Sequence, residues 1–408
     1  MCDIKSVLKQ EMREELISNI LPFWMNKMKD DENGGYYGRL RGDNVLIKDA
    51  DKVAVMNARA LWAFSSAYIV FKDEQYLLEA RRAKDYILKH FIDKEYGGVY
   101  WTLDYLGNPK NTKKQVYAIA FMISALSAYY QASKDEESLK TAKSLYYDLE
   151  KYSYDPKYKG YIEAMSRDWG HIDDMRLSPR DENEVKTMNT HIHILEAYTQ
   201  LYKIWPDENL KKQLRSIIQI FFGKILNKVT MHLNLYFDEK WNAKSPSISY
   251  GHDIGASWLL QEATKAIGDQ TLYNTMKFLL HSLKESASLG LEYNEDKTEC
   301  SMIYERNRNQ KRVDREKHWW VQADSVVGYY YYYLNSGDEE SLEIAYKGWT
   351  FIKNHIIDKK NGGWHWGTLE DGNVNLKDDK AGFWKSCYHS TRMCLSIITD
   401  MKSLDIYK

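Results

Sequence analysis

The chain has 408 residues, with 57 Lys and Arg against 58 Asp and Glu, so the formal net charge is −1. Both signs are dispersed along the sequence, which removes the electrostatic basis for binding nucleic acid or an anionic membrane surface. No run approaches the ~18 apolar residues of a membrane span, the opening residues contain no apolar core of a signal peptide, and Cys2, Cys300, Cys387 and Cys394 form neither a CxxC pair nor a disulfide framework. A reducing cytoplasm is the expected setting, with no structural zinc.

In chain order, an amphipathic helix is expected over residues 4–21. A Gly/aromatic turn follows at Asn33-Gly34-Gly35-Tyr36-Tyr37, then a helix of small and aromatic residues that begins near Asn57 (NARALWAFSSAY). Residues 73–91 place Leu77, Ala80, Ala83, Ile87 and Phe91 on one face at three- and four-residue spacing, which predicts a second amphipathic helix with a charged outer side. The same trio then returns. Charged helices are predicted over 135–152, 208–226, 270–289 and 338–356. Gly/aromatic turns recur at 95–100, 158–161 and 361–366, with looser versions at 233–238 and 289–293. In these turns glycine supplies the positive φ of a tight hairpin. Small-residue helices begin near Tyr117, Asn189, His252, Trp320 and His389, and the intervals from Asn57 onward are 60, 72, 63, 68 and 69 residues.

A period of this length marks a repeat architecture. The unit is a charged helix, a hairpin and a small-residue helix, repeated six times. The predicted fold is all-α: an (α/α)6 barrel with short β-hairpins on one rim. No Pro/Gly/Ser-rich linker divides it, so residues 1–408 are expected to form a single domain. An open solenoid is the structural rival.

In a closed barrel the starts of the inner helices share one rim. Arg59, Tyr117, Asn189, His193, His252, Trp320 and His389 would then converge on one cleft. His252 stands beside Gly251 at a helix start, where a side chain can face a ligand or merely cap the helix. Arg59 interrupts an otherwise uncharged inner helix, and a buried arginine needs an anionic or multi-acceptor partner. His191 and His193 are two apart on a helix and do not face one way, so they make a poor metal pair. Trp319, Trp320 and Trp384 suit sugar stacking and core packing equally.

These stretches resemble the N-acylglucosamine 2-epimerase superfamily, and within it the cellobiose 2-epimerases. The resemblance is carried by Ile20-Leu21-Pro22-Phe23-Trp24, residues 31–38, Asn57-Ala58-Arg59-Ala60-Leu61-Trp62, residues 186–193, Ser249 to Ile254, Trp319-Trp320-Val321, and Trp384 to His389 with Arg392-Met393-Cys394. It implies a cofactor-free epimerisation at C2 of the reducing-end glucose of β-1,4-linked disaccharides. By resemblance His252 and His389 are the paired acid/base histidines and Arg59 binds the C1/C2 oxygens. Asp181, Asn189 and His193 are polar subsite residues, with His193 aiding ring opening, and Trp320 and Trp384 stack on sugar. Tyr117 and Trp319 are further substrate-binding candidates. The expected partner is a small disaccharide, with no metal, nucleic acid or membrane, and the chain is expected to be a monomer. The family's His-Asp-Ile-Glu motif ends here in Gly255, and its acidic pair after the double tryptophan reads Gln322 and Asp324. This departure predicts weakened proton transfer. Alternatives are a mannose 2-epimerase or aldose–ketose isomerase, a glycoside hydrolase using Asp181 and Asp324, and a non-catalytic sugar-binding protein.

Overall fold

The structure, a computed structural model, describes residues 3–307, 309 and 311–402. Among them, twelve long helices alternate between two concentric layers. The outer helices are α1 (residues 4–28), α3 (74–91), α5 (136–153), α7 (208–225), α9 (Gln270–Ser288) and α11 (339–356). The inner ones are α2 (Ala54–Phe71), α4 (Val116–Ser133), α6 (Met188–Ile204), α8 (Tyr250–Ile267), α10 (Trp319–Ser336) and α12 (Tyr388–Ile398). Each inner helix packs on the next, and α12 packs back on α2, so the ring closes. The fold is therefore the (α/α)6 barrel, not an open solenoid.

Local chemistry explains the turns. Inner helices α2 and α4 end in left-handed Lys72 and Lys134, and α8 and α10 in left-handed Gly268 and Gly337. The next residue is an aspartate that starts the outer helix. Asp73, Asp135 and Asp269 accept backbone N–H groups of the new helix, as do Asp3 and Asp207 on α1 and α7. All the outer helices except α9 close in a five-residue π-helical turn before the hairpin. In α1 the π-helical turn Leu16–Ile20 precedes Pro22. Widening the ladder there accommodates a residue that lacks an N–H, and the helix runs on to residue 28 rather than stopping at 21.

The hairpins lie on the rim at which the inner helices begin. Four are pinned by a buried lysine, three of these lysines coming from the short strand that leads into the inner helix. Lys52 Nζ donates to Asp30 at 2.6 Å, Lys114 to Asp93 at 2.8 Å, Lys186 to Asp155 at 2.7 Å and Lys380 to Asp358 at 2.5 Å. Lys52, Lys114 and Lys186 each stand two positions before the first residue of α2, α4 and α6. These three pins fix the height at which the first turns of α2, α4 and α6 enter the barrel. Cys300, Cys387 and Cys394 are buried free thiols, and Cys2 lies outside the described residues. Among the described residues no helix is long and apolar enough to cross a membrane.

Candidate active site

A cavity of about 790 Å³ opens at the hairpin rim. Every site residue expected from the sequence lines it: Arg59, Tyr117, Asp181, Asn189, His193, His252, Trp319, Trp320, Trp384 and His389. They come from all the inner helices and from two connecting segments, brought together by ring closure.

The two histidines at the centre differ in their partners. His389, in the first turn of α12, places Nδ1 3.1 Å from Asp324 Oδ1 on α10. His252, in the first turn of α8, places Nδ1 2.7 Å from Ser249 Oγ. The ring of Trp320 is close to both, its centre 4.7 Å from that of His252 and 5.9 Å from that of His389. Burial pushes His252 down to about 3, with His193 and His389 adding to the fall and Asp324 opposing it. Burial likewise brings His389 down to about 4, partly opposed by the Asp324 carboxylate. Both imidazoles are therefore neutral at rest. A carboxylate partner fixes the proton of a neutral imidazole on the nitrogen facing it, which leaves His389 Nε2 as a free lone pair. A serine hydroxyl can donate as well as accept, so His252 can carry its proton on Nε2.

Arg59 is 3% exposed and, among the described residues, meets no carboxylate. It donates Nη2 to Tyr117 Oη and Nη1 to the Trp384 carbonyl, each at 2.8 Å, and its Nε has no partner. Its guanidinium lies 4.4 Å from the ring centre of Phe121. A buried cation surrounded by rings and neutral acceptors is poised for negative charge that appears elsewhere in the cavity. The side-chain oxygen of Asn189 is also buried without a partner. Asp181 is engaged at the rim, accepting from Ser178 N and Oγ and from Tyr236 Oη. The Trp319 indole is 3% exposed and packs on Trp366 at 4.5 Å, so it forms wall rather than open surface. Trp320 and Trp384 are only half-buried.

Behind the histidines lies a chain of charges that sequence reasoning missed. Arg392 donates Nη2 to Asp324 at 2.8 Å and Nη1 to Glu196 at 3.0 Å, and Glu196 Oε2 sits 3.1 Å from His193 Nδ1. Tyr388 donates its hydroxyl to the same glutamate. Burial works against ionisation of Asp324, yet Arg392 and then His389 hold it well below the usual carboxylate range. Glu196 is brought down to about 2 against the opposing effect of burial, first by Arg392 and then by His193. The available signals were His193-x-x-Glu196 and Tyr388-x-x-x-Arg392, each on one helix face.

His191 is structural: Nδ1 bonds the Thr187 carbonyl at 2.7 Å and Nε2 accepts the Tyr161 N–H at 3.0 Å. Among the described residues no group of three or more His, Cys, Asp or Glu side chains is placed to hold a metal ion.

Gly255 follows His252 by three positions on the cavity side of α8. A Cβ built there meets only Asp324 Oδ2, at 3.6 Å. Neither a positive φ nor a close approach requires glycine at this position, and the space above it is cavity.

The profile of a family described as N-acylglucosamine 2-epimerase (GlcNAc 2-epimerase) matches residues 14–392. A cellobiose 2-epimerase of Bacteroides fragilis is 48% identical over 392 residues, covering 96% of this chain and 99% of that protein. One from Ruminococcus albus is 40% identical over 390 residues, covering 95% and 98%. The solved structure of cellobiose 2-epimerase from Bacillus thermoamylovorans superposes with a TM-score of 0.90 at 37% identity, covering 97% of this chain and 100% of that one.

Proposed function

From the premise that this chain belongs to the N-acylglucosamine 2-epimerase family, we propose that it inverts C2 of the reducing-end glucose of β-1,4-linked disaccharides, converting cellobiose to glucosyl-mannose. It is an isomerase of the sugar-epimerase type. The observation that carries the reading is the pair of neutral imidazoles, His252 and His389, that line one cavity and share the neighbouring ring of Trp320.

The reducing sugar first opens. The hemiacetal proton leaves O1, the C1–O5 bond breaks and O5 gains a proton, so C1 becomes an aldehyde. His193 is the group for this step: its Nδ1 is committed to Glu196, which leaves Nε2 free to exchange the proton. The hydrogen on C2 is now α to a carbonyl. One imidazole removes it, and the electron pair moves through C1 onto O1 to give an enediolate. Arg59, whose charge no carboxylate neutralises, stabilises that oxygen. The second imidazole, protonated from solvent as the enediolate's negative charge develops, delivers that proton to C2 from the opposite face and is left neutral, while the first imidazole releases its captured proton to solvent; ring closure then completes inversion with no net change in atoms. Two bases on opposite faces are needed because a single base returns the proton to the side it came from.

The two halves are unequally equipped. When His389 takes a proton, Asp324 stabilises the imidazolium, whereas His252 has only a serine. The space over Gly255 is where a longer acidic side chain would reach the same helix face. The hydrolase alternative asks Asp324 to act as an acid, and Arg392 and His389 favour its ionised form instead.

Incubation with cellobiose in D2O, followed by proton NMR, tests the proposal. Deuterium at C2 and a mannose-type anomeric signal are expected. A ketose product would indicate an aldose–ketose isomerase, and bound cellobiose without any exchange would indicate a binding protein.

A further inference from the structure

Arg392 joins two carboxylates that serve two different histidines on two different helices. On one side are Asp324 of α10 and, through it, His389 of α12; on the other are Glu196 and His193 of α6. The guanidinium is 2% exposed and has the Trp258 ring 5.2 Å behind it, so little water screens these contacts. We propose that Arg392 is a positioning residue that ties the protonation of His193 to that of His389, making ring opening and C2 proton transfer draw on one shared charge. This rests on the epimerase reading for its catalytic meaning, while the electrostatic tie can be observed without catalysis.

The physical argument is a balance of charge. Arg392 contributes one positive charge and Asp324 and Glu196 two negative ones, so the buried unit carries one net negative charge when both imidazoles are neutral. One added proton neutralises it, and a second would leave a buried excess of positive charge. A proton on His193 therefore makes His389 a weaker base, and the reverse. The ionisable groups facing this unit are Tyr388 of α12, His252 of α8, Arg59 of α2 and Tyr117 of α4. Arg59 and Arg392 both press His193 and His389 downward, while the carboxylates oppose them.

The test uses the full chain and reads the imidazole resonances of His193 and His389 by NMR across pH, beside the pH profile of kcat/KM. Arg392→Met removes the positive charge but keeps the stem. Both midpoints are expected to rise together by about one pH unit, with the acid limb of kcat/KM following, and kcat to fall 10- to 100-fold with KM within about threefold. Arg392→Lys keeps the charge without the fork, and both midpoints are expected to return to within about half a unit of wild type. A shift confined to one histidine, or no shift in either, overturns the proposal whether or not the wild type epimerises cellobiose. Absence of C2 exchange in a wild type whose midpoints are linked would instead overturn the epimerase reading alone. Should Arg392→Met not fold, Glu196→Gln decides. The His389 midpoint is expected to fall, by about half a unit, although the two share no hydrogen bond; an unchanged midpoint overturns the proposal.

Discussion

At position 255 the chain places a glycine inside a buried helix without conformational need, where only Asp324 lies within reach of a Cβ. Glycine in a helix interior costs about 1 kcal/mol relative to alanine. Gly255→Ala is therefore expected to stabilise the protein by about that amount in urea denaturation without raising turnover. Gly255→Glu adds a carboxylate on the face that carries His252. It should raise the His252 imidazole from about 3 towards neutrality, increase kcat several-fold and move the acid limb of the pH profile upward. An unchanged kcat would separate this glycine from the proton transfer. That His252, His389 and Arg59 line one cavity was legible in the sequence because they break a pattern: a histidine beside glycine at a helix start, a cation within an uncharged helix. Glu196 and Arg392 were not legible as partners, because 196 positions separate them and only the closed ring brings them together.

Among the elements, the pins between lysine and aspartate hold the rim. Lys52 and Asp30 are both 0% exposed, whereas Lys48 and Glu32 in the same hairpin region are 62% and 67% exposed. Removing one partner of a buried pair strands the other charge. Lys52→Met is thus expected to cost about 3–5 kcal/mol, against under about 1 kcal/mol for Lys48→Met, measured as the shift in urea midpoint. Helix identities and most of their bounds were readable from apolar spacing and from the aspartates that cap the outer helices. The pins were not, since a single lysine in a two-residue strand reads as solvated charge. The helix expected over residues 4–21 runs on through Pro22, a residue that normally stops a helix, and the π-helical turn that precedes it was not visible in the sequence.

For the whole molecule, the repeat period carried the fold: six nearly equal units allowed closure, and the packing of α12 on α2 completes it. Closure also buries ionisable groups whose titration then depends on folding. Glu163, 1% exposed in the cavity wall, is pushed up to about 7 by burial, against the hydroxyls of Thr190 and Thr187 that bond it. A carboxyl raised from 4.5 in this way lowers stability progressively as pH climbs from 4.5 to 7, and the full penalty, of the order of 3 kcal/mol, remains above that. Glu163→Gln should therefore match the wild type near pH 4.5 and exceed its thermal midpoint at pH 8; a difference independent of pH would place the carboxyl's pKa near its ordinary value.

The most direct measurement of the central claim, that two imidazoles serve opposite faces of one carbon, follows solvent deuterium at C2 in the His252→Asn and His389→Asn variants with each C2 epimer supplied in turn. Each variant is expected to exchange the C2 proton of one epimer only, the two variants favouring opposite epimers, and neither to interconvert them at more than about a thousandth of the wild-type rate. Interconversion by either variant at a rate near that of the wild type would contradict the account.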